Sequence, residues 1–208
     1  MMKSKDYFAQ VAEDWDEIRS GYFSEEMRDA AIGLTHLTPD AIVADVGTGT
    51  GFVIQGLAPY VAEVYGFDES PEMLEVARHN LVGFDNVELR QAPGSKLPLL
   101  DSSLDAVFGN MYLHHDPDPA AAIVELVRVL RPGGKLLLTD LDAHDQEWML
   151  EAMADRWLGF ERDTVGDWFA AAGLTDVIVD DAAGKCCSAN PDGQDTSLSI
   201  FVAYGRKV

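Results

Sequence analysis

The chain has 208 residues, 47% apolar and 25% charged, the composition of one globular domain with a sizeable core. Its formal net charge is -21, and a surface of that sign repels phosphate backbones and anionic headgroups, which argues against a nucleic-acid or membrane partner. The first ten residues lack the apolar stretch of a signal peptide, and no segment is long and apolar enough to span a bilayer, so a cytoplasmic protein is expected. The two cysteines, Cys186 and Cys187, are adjacent and cannot staple a domain of this size.

In chain order, residues 1–19 and 24–36 read as two helices. Tyr7, Phe8, Val11, Trp15 and Ile18 recur at helical spacing, with Phe8, Val11 and Trp15 expected to pack in the core, and Ser24 can cap the second helix. Residues 41–46 form a short apolar strand that runs into Gly47-Thr48-Gly49-Thr50-Gly51, followed by a helix at 52–59. A strand at 61–67 ends at Asp68, and the helix at 70–81 has Ser70 as cap and Pro71 in its first turn. Strands follow at 86–91 and 104–110. A helix at 119–130 stops before Arg131-Pro132-Gly133-Gly134, and a strand occupies 135–140. Helices at 146–153 and 163–172 lead to two last strands, 174–180 and 196–204, separated by a polar loop at 181–195.

Strands separated by helices predict an α/β fold, a mostly parallel seven-stranded sheet with helices on both faces. The last two strands have no helix between them and should form a hairpin, which makes the final strand antiparallel. No interdomain linker is visible. The expectation is a single domain, residues 1–208, in which an N-terminal helical lid at 1–38 precedes a Rossmann-like core at 39–208. The sequence leaves oligomeric state open, a homodimer included.

The sharpest chemical signal is the turn after the first strand. Glycine is needed where the backbone takes positive φ or lets a ligand lie against it. Asp68, at the end of the next strand, can accept hydrogen bonds from both hydroxyls of a ribose. Strand, glycine turn, helix, strand and terminal acid together specify an adenosine-containing cofactor. Nicotinamide dinucleotides favour G-x-G-x-x-G, with pyrophosphate on the helix N-terminus. Here the spacing is G-x-G-x-G and Asp45 precedes it. An acid there suits a sulfonium cofactor that carries an ammonium group.

These residues resemble the first motif of the class I S-adenosylmethionine-dependent methyltransferases, of the methyltransferase-11 and ubiquinone/menaquinone methyltransferase type. Asp68-Glu69-Ser70-Pro71-Glu72-Met73-Leu74 is similar to the second motif, Leu97-Pro98-Leu99 to the Leu-Pro-Phe after the third strand, and Leu130-Arg131-Pro132-Gly133-Gly134 to the turn before the fifth. The resemblance covers nearly the whole chain. It implies S-adenosyl-L-methionine as cofactor, held by Asp45, Gly47, Thr48, Gly49, Gly51, Asp68 and Glu69, with Met73 packed on adenine and Asn110 and Met111 against the methionine part. The family's acid before Leu-Pro-Phe is missing here, where the chain reads Gln91-Ala92-Pro93-Gly94-Ser95-Lys96. Adenine is then expected against Ala92, Pro93 and Gly94.

Ligands of open parallel sheets bind at the carboxyl ends of the strands. Three loops should therefore share one rim: 110–116 with His114 and His115, 140–145 with Asp142 and His144, and the last loop with Cys186 and Cys187. Methyl transfer needs a base only when the acceptor carries a proton, and His114, His115 and His144 are the candidates. Arg19 is a candidate partner for the methionine carboxylate, and Tyr22 could face the substrate. A looser resemblance to arsenite methyltransferases would make Cys186 and Cys187 metalloid ligands. The expected activity is methyl transfer to a small-molecule acceptor. A non-catalytic S-adenosylmethionine-binding module and a nicotinamide-dependent oxidoreductase are the alternatives.

Overall fold

The computed structural model describes residues 4–20, 23–189 and 195–208. Helices α1 (Ser4–Val11), α2 (Trp15–Ser20) and α3 (Glu25–Gly33) precede the sheet. The core then runs β1 (Ile42–Val46), α4 (Phe52–Leu57), β2 (Glu63–Asp68), α5 (Pro71–Asn80), β3 (Val87–Gln91), β4 (Leu104–Asn110) and, after a 3-10 turn at Leu113–His115, α6 (Pro119–Val129). It ends with β5 (Leu130–Leu141), α7 (Met149–Ala152), α8 (Arg162–Ala171), β6 (Leu174–Ala189) and β7 (Asp195–Lys207).

The sheet order is β3-β2-β1-β4-β5-β7-β6, with β7 antiparallel to both neighbours. Alternation along each strand divides the core between the two faces. On β5, Leu137 and Leu141 face α3 and α4, whereas Leu136 and Leu138 face α6 and α8. The caps read from sequence are present: the Ser24 and Ser70 hydroxyls accept from the Met27 and Met73 amides, each at 3.2 Å.

Three features depart from the sequence reading. The first predicted helix is two, broken by a turn at 12–14, and neither piece buries a residue in the core. Trp15 and Arg19 consequently face inward toward the strand ends. The Arg131-Pro132-Gly133-Gly134 stop lies inside β5 as an irregularity, between the pairs Leu104↔Leu130 and Ala106↔Lys135. The polar loop expected at 181–195 is largely strand: β6 and β7 stay paired to Ala189↔Asp195, across a register shift between Asp181 and Lys185. Cys186 therefore lies on β6 and not in a loop. Its buried side chain packs with Leu198, Ile200, Met149 and Phe23. Cys186 with Leu198 and Ile200 of β7 gives the hairpin an apolar face, while Ser197 and Ser199 between them are exposed.

Arg162 at the start of α8 grips Asp142 with two bonds of 2.7 Å and reaches Asp181 at 2.5 Å. Asp142 thus fastens the loop after β5 to α8 and β6.

Leu126 is fully buried on α6, whereas Val124, two residues away, is 56% exposed. Leu126→Ala should cost about 3 kcal/mol and lower the urea midpoint at unchanged m, and Val124→Ala should stay within about 0.5 kcal/mol.

Candidate functional site

The site begins where β1 stops. The amides of Gly47 and Thr48 both donate to the Phe67 carbonyl at 2.9 Å, folding the turn back onto β2. Gly47 has φ of +70°, and a Cβ there would lie 2.8 Å from the Tyr112 ring. Gly51, with φ of +90°, caps α4 and backs onto Leu81. It shapes the turn from behind.

One cavity of about 380 Å³ opens along the carboxyl ends of β1, β2, β4 and β5. That size is in the range of small-molecule sites. The structure brings to its wall Asp45, Gly47, Thr48, Gly49, Asp68, Glu69, Met73, Ala92, Gly94, Asn110, Met111, His114, His115 and Cys186. Gly51, Pro93 and His144 are not among the lining residues. His144 Nδ1 instead accepts from the Gln146 amide at 3.2 Å, a turn contact. The Cys187 side chain and Tyr22 lie outside what the structure describes.

Asp68 is half-buried and held by backbone donors, Gly49 N–H and Ser70 N–H, each at 2.9 Å. Each carboxylate oxygen keeps a lone pair for a hydroxyl donor. Asp45 is 1% exposed. Its Oδ2 accepts from the Thr48 hydroxyl at 2.6 Å, but its Oδ1 has no hydrogen-bond partner among the described residues. Burial pushes this carboxyl up to about 7, opposed by the Thr48 bond and helped by the Asp68 charge. A buried, half-satisfied acid at the turn fits a cofactor that brings a cation.

Three walls were not readable from the sequence. Tyr112 lies across Gly47 and Gly94 and donates its hydroxyl to Asp116 in a short hydrogen bond. Phe8 and Trp15, expected in the core, line the cavity from the N-terminal helices. The Trp15 ring nitrogen would stand 3.7 Å from a Cβ on Gly49, and Asp16 beside it accepts from Thr50 Oγ1 at 2.6 Å and Asn80 Nδ2 at 2.8 Å. Arg19 stacks on Phe52 at 3.7 Å, and its Nε is buried without a hydrogen-bond partner among the described residues. Desolvation lowers its pKa against the pull of Asp16.

At the inner end, His114 Nδ1 meets Asp140 Oδ1 at 2.6 Å, both buried. A donating Nδ1–H leaves Nε2 facing Asp155, whose Oδ1 is 3.8 Å away. Asp155 arrives from a distant segment because the Arg156 and Trp157 amides both donate to the His114 carbonyl, at 3.0 and 3.2 Å. Ala154 before it takes φ of +55°, and Met111 takes +52°. Two non-glycine residues in the left-handed region therefore flank the cavity, backbone strain of the kind that collects at functional sites.

Residues 44–138 match the family model described as a methyltransferase domain. A 2-methyl-6-phytyl-1,4-hydroquinone methyltransferase from rice is 33% identical over 166 residues, covering 78% of this chain and 50% of that protein. A demethylmenaquinone methyltransferase from Clavibacter sepedonicus is 39% identical over 98 residues, covering 47% of this chain and 40% of the relative. The chain spans about half the length of the curated relatives it matches. The YcgJ structure from Bacillus subtilis superposes with a TM-score of 0.76 at 23% identity, covering 88% of this chain and 99% of that one, and shares the fold. Residues 44–138 thus carry a methyltransferase domain, and over this core the chain resembles S-adenosylmethionine-dependent methyltransferases. The matches support S-adenosylmethionine as its cofactor, and the glycine turn, Asp68 and the Asp45 oxygen without a partner among the described residues fit it.

The raised Asp45 carboxyl sets a pH signature. Its folded pKa lies above the unfolded value, so its proton stabilises the fold at low pH. That contribution is lost as pH rises from about 4 to about 7. The melting temperature of the ligand-free protein should fall across this window by an amount that Asp45→Asn removes, measured as the difference between the two pH–melting curves.

Proposed function

We propose that this chain transfers the methyl group of S-adenosylmethionine to a small, largely apolar acceptor bearing a hydroxyl or quinol oxygen. The observation that carries this reading is a single cavity joining the glycine turn and Asp68 to the His114, His115 and Asp155 cluster. Asp68 takes the ribose hydroxyls, with Glu69 beside it. Met73, Ala92 and Gly94 sandwich the adenine, and Pro93 supports that loop. Asp45 answers the ammonium group, Arg19 the carboxylate, and Asn110 and Met111 the methionine chain.

The acceptor occupies the inner end, where Phe8, Met149, Met153, Leu141 and Cys186 supply apolar wall. The relatives named for hydroquinone and demethylmenaquinone substrates support a ring-shaped acceptor. Displacement at a sulfonium methyl needs nucleophile, methyl carbon and sulfur in line, so the protein contributes mainly position and exclusion of water. The N-terminal helices serve as the lid that does both, latched to the turn through Asp16. The acceptor's proton departs at the histidine–carboxylate cluster, where His114 and His115 take the catalytic part. His144, held in its turn, does not. Among the described residues one thiol, that of Cys186, lines the cavity, and a metalloid acceptor held by several thiols has less support.

S-adenosylhomocysteine should bind in calorimetry, and Asp68→Ala should weaken it by roughly tenfold or more, the loss of charge-assisted hydrogen bonds. Release of S-adenosylhomocysteine with a panel of reduced quinols would report turnover. Failure of the wild type to bind it would end this reading. Asp16→Ala, which frees the latch, should raise the cofactor dissociation rate several-fold in stopped flow and leave the urea midpoint within about 0.5 kcal/mol of wild type.

A further inference from the structure

The inner end of the cavity holds more ionisable groups than proton transfer needs. His114, His115 and Asp155 each offer a ligand atom, and these atoms lie within 4.8 Å of one another. His114 Nε2 and His115 Nδ1 approach Asp155 Oδ1 at 3.8 and 3.9 Å. The imidazole rings stand 4.0 Å apart. Ligands of a tetrahedral ion with bonds near 2.1 Å sit roughly 3.3 Å from each other. The two approaches to Asp155 exceed that spacing by about half an ångström and the widest separation in the group by up to about 1.5 Å, which side-chain rotation would close onto an ion.

A second observation points the same way. Asp155 is 1% exposed, and its Oδ2 has no hydrogen-bond partner among the described residues. A buried carboxylate oxygen without a partner is costly unless something charged meets it. Asp140 supplies the outer support that metal-binding imidazoles have: it accepts from His114 Nδ1 at 2.6 Å and from the Leu141 amide at 2.7 Å, fixing ring and tautomer. His115 has only a long Nδ1 contact, 3.4 Å, to the Ala154 carbonyl, which an ion can displace.

We propose that His114, His115 and Asp155 form a binding site for one divalent transition-metal ion, open on the cavity side to an oxygen of the acceptor. Two imidazoles and a carboxylate suit zinc, cobalt or iron, and three protein ligands with an open position are the pattern of a reactive site rather than a structural one. With the ion bound, His114 and His115 ligate instead of accepting the proton: an acceptor hydroxyl that bonds through its oxygen loses its O–H proton to a solvent base and keeps the electron pair for attack on the methyl carbon. This last role rests on the proposed methyl transfer; the ion site itself does not.

The chelator-stripped full chain would be titrated with Co²⁺, following heat and the visible absorption of the bound ion, with Zn²⁺ as competitor. One equivalent should bind. Asp155→Asn, close in shape to the native residue, and His115→Ala should each weaken binding at least tenfold, and His79→Ala, on the exposed face of α5, should not. Binding that survives both cavity variants, or no stoichiometric binding, overturns the site, because it leaves only the acidic surface as the cation sink. The wild type supplies a check that needs no variant: paramagnetic shifts from Co²⁺ should fall on the His114 and His115 ring protons, and their absence would overturn the proposal. S-adenosylhomocysteine titrated into the same stripped sample separates the two readings. Cofactor binding without metal binding removes the ion alone, and the converse removes the methyltransferase reading alone.

Discussion

The site depends on one topological constraint: the sheet reverses its direction of growth between β1 and β4. From β1 the chain builds outward to β2 and β3, then returns to place β4 on the other side. The loops leaving the carboxyl ends of β1 and β4 therefore diverge to opposite faces and leave a crevice between them. The glycine turn lines one wall and the 110–116 segment the other. Tyr112 spans both by packing on Gly47 and Gly94. Trp15 and Asp16 reach the crevice through the turn, and Asp155 is carried there by the Arg156 and Trp157 amides on the His114 carbonyl.

The crevice gathers carboxyl groups. Asp45, Asp68 and Asp155 all line it, and burial raises the pKa of each, Asp155 to about 6. An anion in a low-dielectric wall destabilises the empty protein and attracts a cation. A sulfonium cofactor with an ammonium group would satisfy the Asp45 end, and a metal ion would satisfy the Asp155 end. Ligand binding and fold stability are thereby linked through the same carboxylates.

Much of this was legible in local patterns. Ser70-Pro71 starts a helix because a hydroxyl cap and a missing N–H both suit the first turn, and the structure has that cap. The glycine turn and Asp68 announced the cofactor because glycine spacing and a strand-terminal acid are local requirements. Less legible were the N-terminal residues. Phe8 and Trp15 have the spacing of core residues, and a periodic apolar stripe does not say whether it faces a core or a cavity. The β6–β7 extension was missed for a related reason: its exposed positions are polar, and its pairing to Ala189↔Asp195 depends on a partner strand rather than on its own composition.

The sequence by itself determined the α/β order, the antiparallel last strand, the glycine turn and the methyltransferase resemblance, since each is encoded in contiguous residues. Only the tertiary structure decided which side chains meet. His144 is held in a turn while His114 and His115 reach the cavity. Asp155, unremarkable in its sequence neighbourhood, becomes their partner because two amides downstream bond to His114. Such a constellation joins residues some forty positions apart through backbone contacts, and no local period or propensity carries that information.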